Sequence, residues 1–351
     1  MRDFTHYGTC ARWSVRMASV ALTLVAFTPG TGHACAACGC TVNADAAMGF
    51  SAASGWRLAI EYDYINQDQL RSGTSSATPE QVVNNPSNPT LGGGEIEHHT
   101  LNRYVNLRLD YRADADWNFA LIVPYIMRDH STFGQQQAPY SSTETAPDQL
   151  TYGHVSNLGD VKLLAAYQGL LPTQNLGVQF GLKLPTGQDG TRTDFESGPG
   201  LGTPVDASLQ AGSGSTDLIV GAYYYQAVSQ NLDAFASAQF QAAVIESLDQ
   251  RGSDFRPGNA SSFSIGLRYV ADPRWVPQAQ INLIHKDADQ GALADRPDTA
   301  GTVAYFSPGL TVQALSRVHV YGLLQLPVYN NLSGYQLFPH WTATAGLSYM
   351  F

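Results

Sequence analysis

The feature that most constrains this chain is a two-residue rhythm repeated along most of its length. Trp341, Ala343, Ala345, Leu347, Tyr349 and Phe351 interleave with Thr342, Thr344, Gly346, Ser348 and Met350. Leu176, Val178, Phe180, Leu182 and Leu184 alternate with Gly177, Gln179, Gly181 and Lys183. The same dyad sets Trp56, Leu58, Ile60 and Tyr62 against Arg57, Glu61 and Asp63, and Val105, Leu107, Leu109 and Tyr111 against Asn106, Arg108 and Asp110. Val161, Leu163, Ala165 and Tyr167 share a stretch with Asp160 and Lys162. Successive side chains of a strand point to opposite faces, so each stretch reads as a strand with one apolar and one polar side. A soluble sandwich hides the apolar side in a dry core. An outer-membrane barrel turns it to lipid and keeps the polar side within.

Connection lengths separate the two. Twelve strands are expected, near 56–66, 99–112, 116–128, 158–169, 175–185, 215–226, 232–245, 261–271, 275–286, 302–314, 317–329 and 340–351. Long connections (67–98, 129–157, 186–214, 246–260, 287–301, 330–339) alternate with short ones (113–115, 170–174, 227–231, 272–274, 315–316). Bacterial barrels sort their loops in this way, with short periplasmic turns and long outer loops; a sandwich has no reason to. Trp56, Trp117, Trp275 and Trp341 fall at expected strand starts, where an interfacial aromatic girdle belongs. The reading is an all-β, 12-stranded antiparallel outer-membrane β-barrel over residues 56–351, in contact with outer-membrane lipid.

The preceding residues divide into two parts. Arg2, Arg12 and Arg16 precede an apolar run from Met17 to Phe27, followed by Pro29, Gly30 and Gly32. That is the form of a secretory signal over 1–34, cut after Ala34. Its removal takes away three Arg and one Asp, making a chain of net charge −10 more acidic still. That balance argues against a nucleic-acid partner, which would meet a basic face. Residues 35–55 form a periplasmic lead that could enter the lumen as a plug. It opens with Cys35, Cys38 and Cys40. Three readings stay open for these thiols: a disulfide such as Cys35–Cys38 or Cys35–Cys40, a soft-ligand site for Cu or Zn, or lipidation of Cys35. Haem attachment is excluded, since Gly39 stands where CxxCH requires His.

Three motifs carry a family resemblance: Asn157-Leu158-Gly159-Asp160-Val161-Lys162, then Gly181-Leu182-Lys183-Leu184-Pro185-Thr186-Gly187, then Gly212-Ser213-Gly214-Ser215-Thr216-Asp217-Leu218. In this order they resemble the outer-membrane family named for the meta-pathway of phenol degradation, over roughly residues 155–350. The resemblance implies a barrel of this size that acts as a transporter or channel, and it leaves the cargo open. The terminal Phe351 resembles the signal read by the barrel-assembly machinery.

The alternation places Arg57, Glu61, Asp63, Asn102, Asn106, Arg108, Asp110, Arg128, Asp160, Lys162, Lys183, Asp217 and Arg268 in the lumen. Charges of both signs there either line a path or pair with one another, as buried ions must. Pro124, Pro185 and Pro327 also face inward and either bend or end their strands. His98, His99, His130 and His154 are expected as solvated loop residues rather than a metal cluster. The leading function is passive passage of a small, hydrophobic or aromatic solute. Metal or redox handling by the Cys35, Cys38 and Cys40 cluster is the alternative. A barrel enzyme is a minor one, because no Ser/His/Asn set stands out and His319 has no evident nucleophile beside it. Gly92-Gly93-Gly94 lacks the GK[ST] of a nucleotide loop.

Overall fold

A computed structural model describes residues 55–84, 95–135 and 150–351. The expected signal, the Cys35–Cys38–Cys40 lead and its plug role lie outside these residues. Within them the regular structure is almost entirely strand. In order these are β1 (Gly55–Gly73), β2 (Ser75–Ser76), the short helix α1 (Pro79–Asn84), β3 (Glu95–Arg112), β4 (Trp117–Gln135), β5 (Thr151–Leu158), β6 (Val161–Tyr167) and β7 (Leu176–Leu184). Then come β8 (Phe195–Ser197), β9 (Thr216–Ser229), β10 (Leu232–Ile245), β11 (Ala260–Tyr269), β12 (Trp275–Lys286), β13 (Gly301–Leu315) and β14 (Val318–Met350). None of the helices among the described residues is long and apolar enough to cross a membrane.

All the strands belong to one antiparallel sheet, and that sheet closes. From β1 the pairing runs through β14, β13, β12, β11, β10, β9, β7, β6 and β4, and β3 joins β4 back to β1. Eleven strands make the ring; β2, β5 and β8 lie off it. The expected count of twelve is therefore not reproduced. The difference lies in β14, which spans the expected strands 317–329 and 340–351. Residues 318–332 pair with β13 and residues 332–350 with β1, both antiparallel. The two halves must therefore run in opposite senses. The expected loop 330–339 is strand, because Leu332, Leu337 and Phe338 are buried apolar residues that pull it into the interior.

Two other expectations change. β1, β3 and β4 run well into the expected loops 67–98 and 129–157, since each keeps a backbone partner there, as in Gln67↔Thr100 and Thr132↔Thr151. The expected strand 158–169 is broken at Gly159 and Asp160, with β5 on the upper part of β4 and β6 on the lower. Pro124 sits opposite this break, its carbonyl accepting from Gly159 N at 2.9 Å. Pro327 lies beside the bulge between β13 and β14, and Pro185 follows the last residue of β7.

Burial decides which face is which. Trp56 and Ile60 are 48% and 49% exposed, whereas Asp63 and Asn102 are 1% and 0% exposed. A closed ring with apolar residues outside and ions inside is an inverted protein, suited to lipid. All four described Trp residues are exposed. Trp56, Trp117 and Trp275 stand at strand starts as expected, while Trp341 lies within β14 and stacks on Tyr64 at 5.5 Å. Trp56 and Tyr64 are separated on β1 by about 26 Å along a strand rising about 3.3 Å per residue, the scale of the apolar band in such barrels.

Candidate functional site

The three sequence motifs meet in one place. Asp160 occupies the break between β5 and β6, Lys183 stands near the end of β7, and Ser213, Ser215 and Asp217 lead into β9. Lys183 Nζ lies 3.3 Å from Asp160 Oδ2 and 2.9 Å from Asp217 Oδ2. It also donates to Ser215 Oγ at 3.2 Å and to Ser213 Oγ. Asp160 accepts from Gly187 N and Ser213 N, both at 3.0 Å, and Asp217 accepts from Ser215 Oγ and Gln241 Nε2, both at 2.6 Å. One buried cation, two buried anions and a full set of donors make a compensated cluster.

The same motifs repair the broken strand. Thr186 Oγ1 donates to Gly159 O at 3.0 Å and accepts from Val161 N at 2.9 Å, so one side chain satisfies the backbone on both sides of the gap. Gly187 and Gly212 let two backbones touch: a Cβ on Gly212 would lie 2.5 Å from Gly187 C. Gly212 N donates to Gln188 O at 2.6 Å. The long connection between β7 and β9 is thereby pinched at its neck, and its body turns inward. Ala211 joins Ile65, Tyr104, Ile126 and Val155 in one apolar cluster, and Val205 and Leu209 pack on Phe195. Arg128, buried on β4, donates to Leu209 O, to Asn102 Oδ1 and to Tyr104 OH. This inward loop is absent from the sequence expectations. Its signal is Val205, Ala207, Leu209 and Ala211, an apolar dyad within an otherwise polar loop, all four buried.

A second cluster lies toward the short-turn end. Asp110 is held between Arg57 at 3.0 Å and Arg108 at 2.9 Å. Tyr321 OH donates to Glu61 Oε2 at 2.8 Å. Asp63 accepts from Asn106 Nδ2 at 2.8 Å and from Thr344 Oγ1 at 2.6 Å. Lys162 pairs across the sheet with Lys183 on one side and Ile122 on the other, which puts it on the interior face. Arg268, on β11, shares that face with its cross-strand partner Gln278 of β12.

The histidines are strand residues rather than loop residues. His130 is buried with Nδ1 2.9 Å from Thr100 Oγ1; His98, His99 and His154 contact Ser131, Asn66 and Asp129. Burial follows from the extra length of β3 and β4. Among the described residues no group of three or more His, Cys, Asp or Glu is placed to hold a metal.

Above the barrel wall, Asp298 Oδ1 accepts from Tyr335 N at 2.6 Å, tying the 287–300 loop to the turn-back of β14. Gly334 there has φ +43°, and a Cβ on it would fall 1.5 Å from that same oxygen, so only glycine fits. Burial, reinforced by the neighbouring Asp295, pushes the Asp298 carboxyl up to about 8.

With this geometry in hand, the chain can be compared with known proteins. An outer membrane channel from Pseudomonas putida F1 superposes with a TM-score of 0.60 at 12% identity, over 86% of this chain and 97% of that one. The fold is that of an outer-membrane β-barrel. Weaker likenesses include a monoaromatic hydrocarbon channel (TM-score 0.44, 11% identity, 85% of this chain and 89% of the other) and a toluene transporter from Ralstonia pickettii (TM-score 0.44, 11% identity, 85% and 90%). No family model matches the chain. No curated protein matches it either.

Proposed function

We propose that this protein is an outer-membrane channel of a Gram-negative bacterium for passive passage of a small hydrophobic or aromatic solute. The observation that carries the reading is the closed ring with lipid-suited residues outside and ionic ones within. The likeness to an outer membrane channel from Pseudomonas putida F1 supports it. On this reading the barrel crosses the membrane twelve times, the two halves of β14 counting separately, and the chain is a member of the meta-pathway phenol-degradation family. Phe351 is the mark by which the assembly machinery inserts it.

Apolar clusters stand inside the barrel toward the long loops: Ile284, Val303, Tyr305, Leu332 and Phe338 form one, and Leu70, Val82, Ile96, Phe133, Leu150 and Leu337 another. They offer an apolar solute a first foothold. The interior polar and charged residues Arg57, Glu61, Asp63, Asn106, Arg108, Asp110, Arg128, Asp160, Lys162, Lys183, Asp217 and Arg268 then bound its path. The test is solute flux into liposomes holding the purified barrel, with radiolabelled toluene and phenol beside a disaccharide. Faster entry of the aromatic solutes than in protein-free vesicles is expected. Equal rates with and without protein would refute the channel.

A further inference from the structure

Most interior ions of this barrel are matched; among the described residues Arg268 and Asp233, cross-strand neighbours that feel each other's charge at longer range, make no ion pair or hydrogen bond. Arg57 and Arg108 share Asp110, Lys183 has two carboxylates, and Arg128 has three acceptors. Arg268 makes no ion pair or hydrogen bond among the described residues, and its Nε is buried without an acceptor. Asp233 is its cross-strand neighbour on β10 but does not come within ion-pairing distance. On the other side its neighbour is Gln278, 6% exposed, whose amide nitrogen and oxygen both lack partners. Two positions further along β12, Gln280 donates to Asn282 Oδ1 at 3.0 Å and leaves its own buried Oε1 unused. Buried polar groups without partners are costly, and native proteins retain few of them without a reason.

The unused groups form a pattern. A guanidinium edge and an amide N–H are donors that match a carboxylate, and Arg is suited to it by its planar fork. The Oε1 atoms of Gln278 and Gln280 are acceptors that require a hydroxyl or amine donor. An aromatic wall stands beside them. Gly266 faces Gln280 across the strands, and a Cβ there would lie 2.5 Å from Phe235 Cζ and 2.7 Å from Gln280 Cβ. The missing side chain is what lets the Phe235 ring lie against Gln280.

We propose that Arg268, Gln278, Gln280 and Phe235 form a binding site for a hydroxylated aromatic carboxylate. Arg268 and the Gln278 N–H hold the carboxylate, the glutamine oxygens take the hydroxyl, and Phe235 covers the ring. The inference rests on the channel reading for its place in transport, since it makes this site the selective station on the path.

Binding is measured apart from flux, so the two readings fail separately. Calorimetry of the folded, detergent-solubilised barrel with 4-hydroxybenzoate is expected to show one site. Benzoate, without the hydroxyl, and phenol, without the carboxylate, should each bind more weakly. Arg268→Gln should weaken 4-hydroxybenzoate by about tenfold, the loss of a charge-assisted hydrogen bond. Gln278→Leu should weaken it as well, and both variants should keep the wild-type heat-modifiable gel shift. Absence of binding, equal binding by Arg268→Gln, or phenol binding as well as 4-hydroxybenzoate would each overturn the site. Lack of toluene flux in liposomes alongside intact binding would count against the channel alone.

Discussion

Two walls of the barrel handle polar side chains in opposite ways. From β4 through β9 the sheet is interrupted at Gly159 and Asp160, a long connection folds inward, and every ion of the Lys183 cluster is met by a partner. From β10 through β13 the ladders run without a register shift, yet Arg268 and Gln278 go unmatched. Irregular backbone coincides with saturated polar groups, and regular backbone with unsaturated ones. The first wall spends its charges on architecture. The second is held by its own backbone, which leaves polar atoms of Arg268 and Gln278 without a partner among the described residues.

The sharpest way to break this contrast is Lys183→Met. It would leave Asp160 and Asp217 buried without a counter-ion and should cost about 3–5 kcal/mol. A lower urea midpoint for unfolding from detergent or lipid would show it, and an unchanged midpoint would mean the cluster is not structural. Next in size is Gly212→Val, whose side chain would strike Gly187 backbone. It should open the 186–214 neck, costing about 1–3 kcal/mol as overpacking does, and expose that loop to limited proteolysis while the barrel remains. Leu209→Ala should cost about 2–4 kcal/mol if the loop packs as a true core, and less if it yields; comparing it with Gly212→Val measures how firmly the loop is seated.

A smaller effect concerns pH. The Asp298 carboxyl is raised in the folded protein, so the folded state holds a proton that the unfolded chain gives up at lower pH. Stability from this group is complete in acid, declines as pH rises past the ordinary carboxylate range, and is gone above about 8. Protease sensitivity of the 287–300 loop should therefore rise across that window, and Asp298→Asn should flatten the profile. Smallest of all is the stability change expected for Arg268→Gln. A residue whose one opposite charge, Asp233, lies beyond ion-pairing distance should change the unfolding free energy by no more than about 0.5 kcal/mol; a larger drop would place Arg268 with the architectural ions.

Much of this was legible in the residues themselves. The dyads of β1, β7 and the end of β14 specify strand and face together, because one register hides the ions and any slip exposes them. The sorted connections foretold antiparallel staves. What escaped was non-local. Nothing near Gly159 says that a strand breaks there, since the repair comes from Thr186 on another connection. Residues 330–339 look like a long connection until Leu337 and Phe338 find an interior to enter. The alternation names candidates for the interior but is silent on pairing. It could not distinguish Asp110, gripped by two arginines, from Arg268, gripped by none.

The pinch at Gly187 and Gly212 has one more consequence. Thr186, Gly187 and Ser213 fasten both roots of the inward loop to the mended gap, while its middle is held by Arg128 on Leu209 O, by the packing of Val205 and Leu209 on Phe195, and by the short pairing of β8 with β5. On the proposed channel reading, a passing solute cannot swing this segment aside like a door. It must instead squeeze the belly of a noose whose knot is part of the wall, so traffic and the integrity of the cylinder stay mechanically separate.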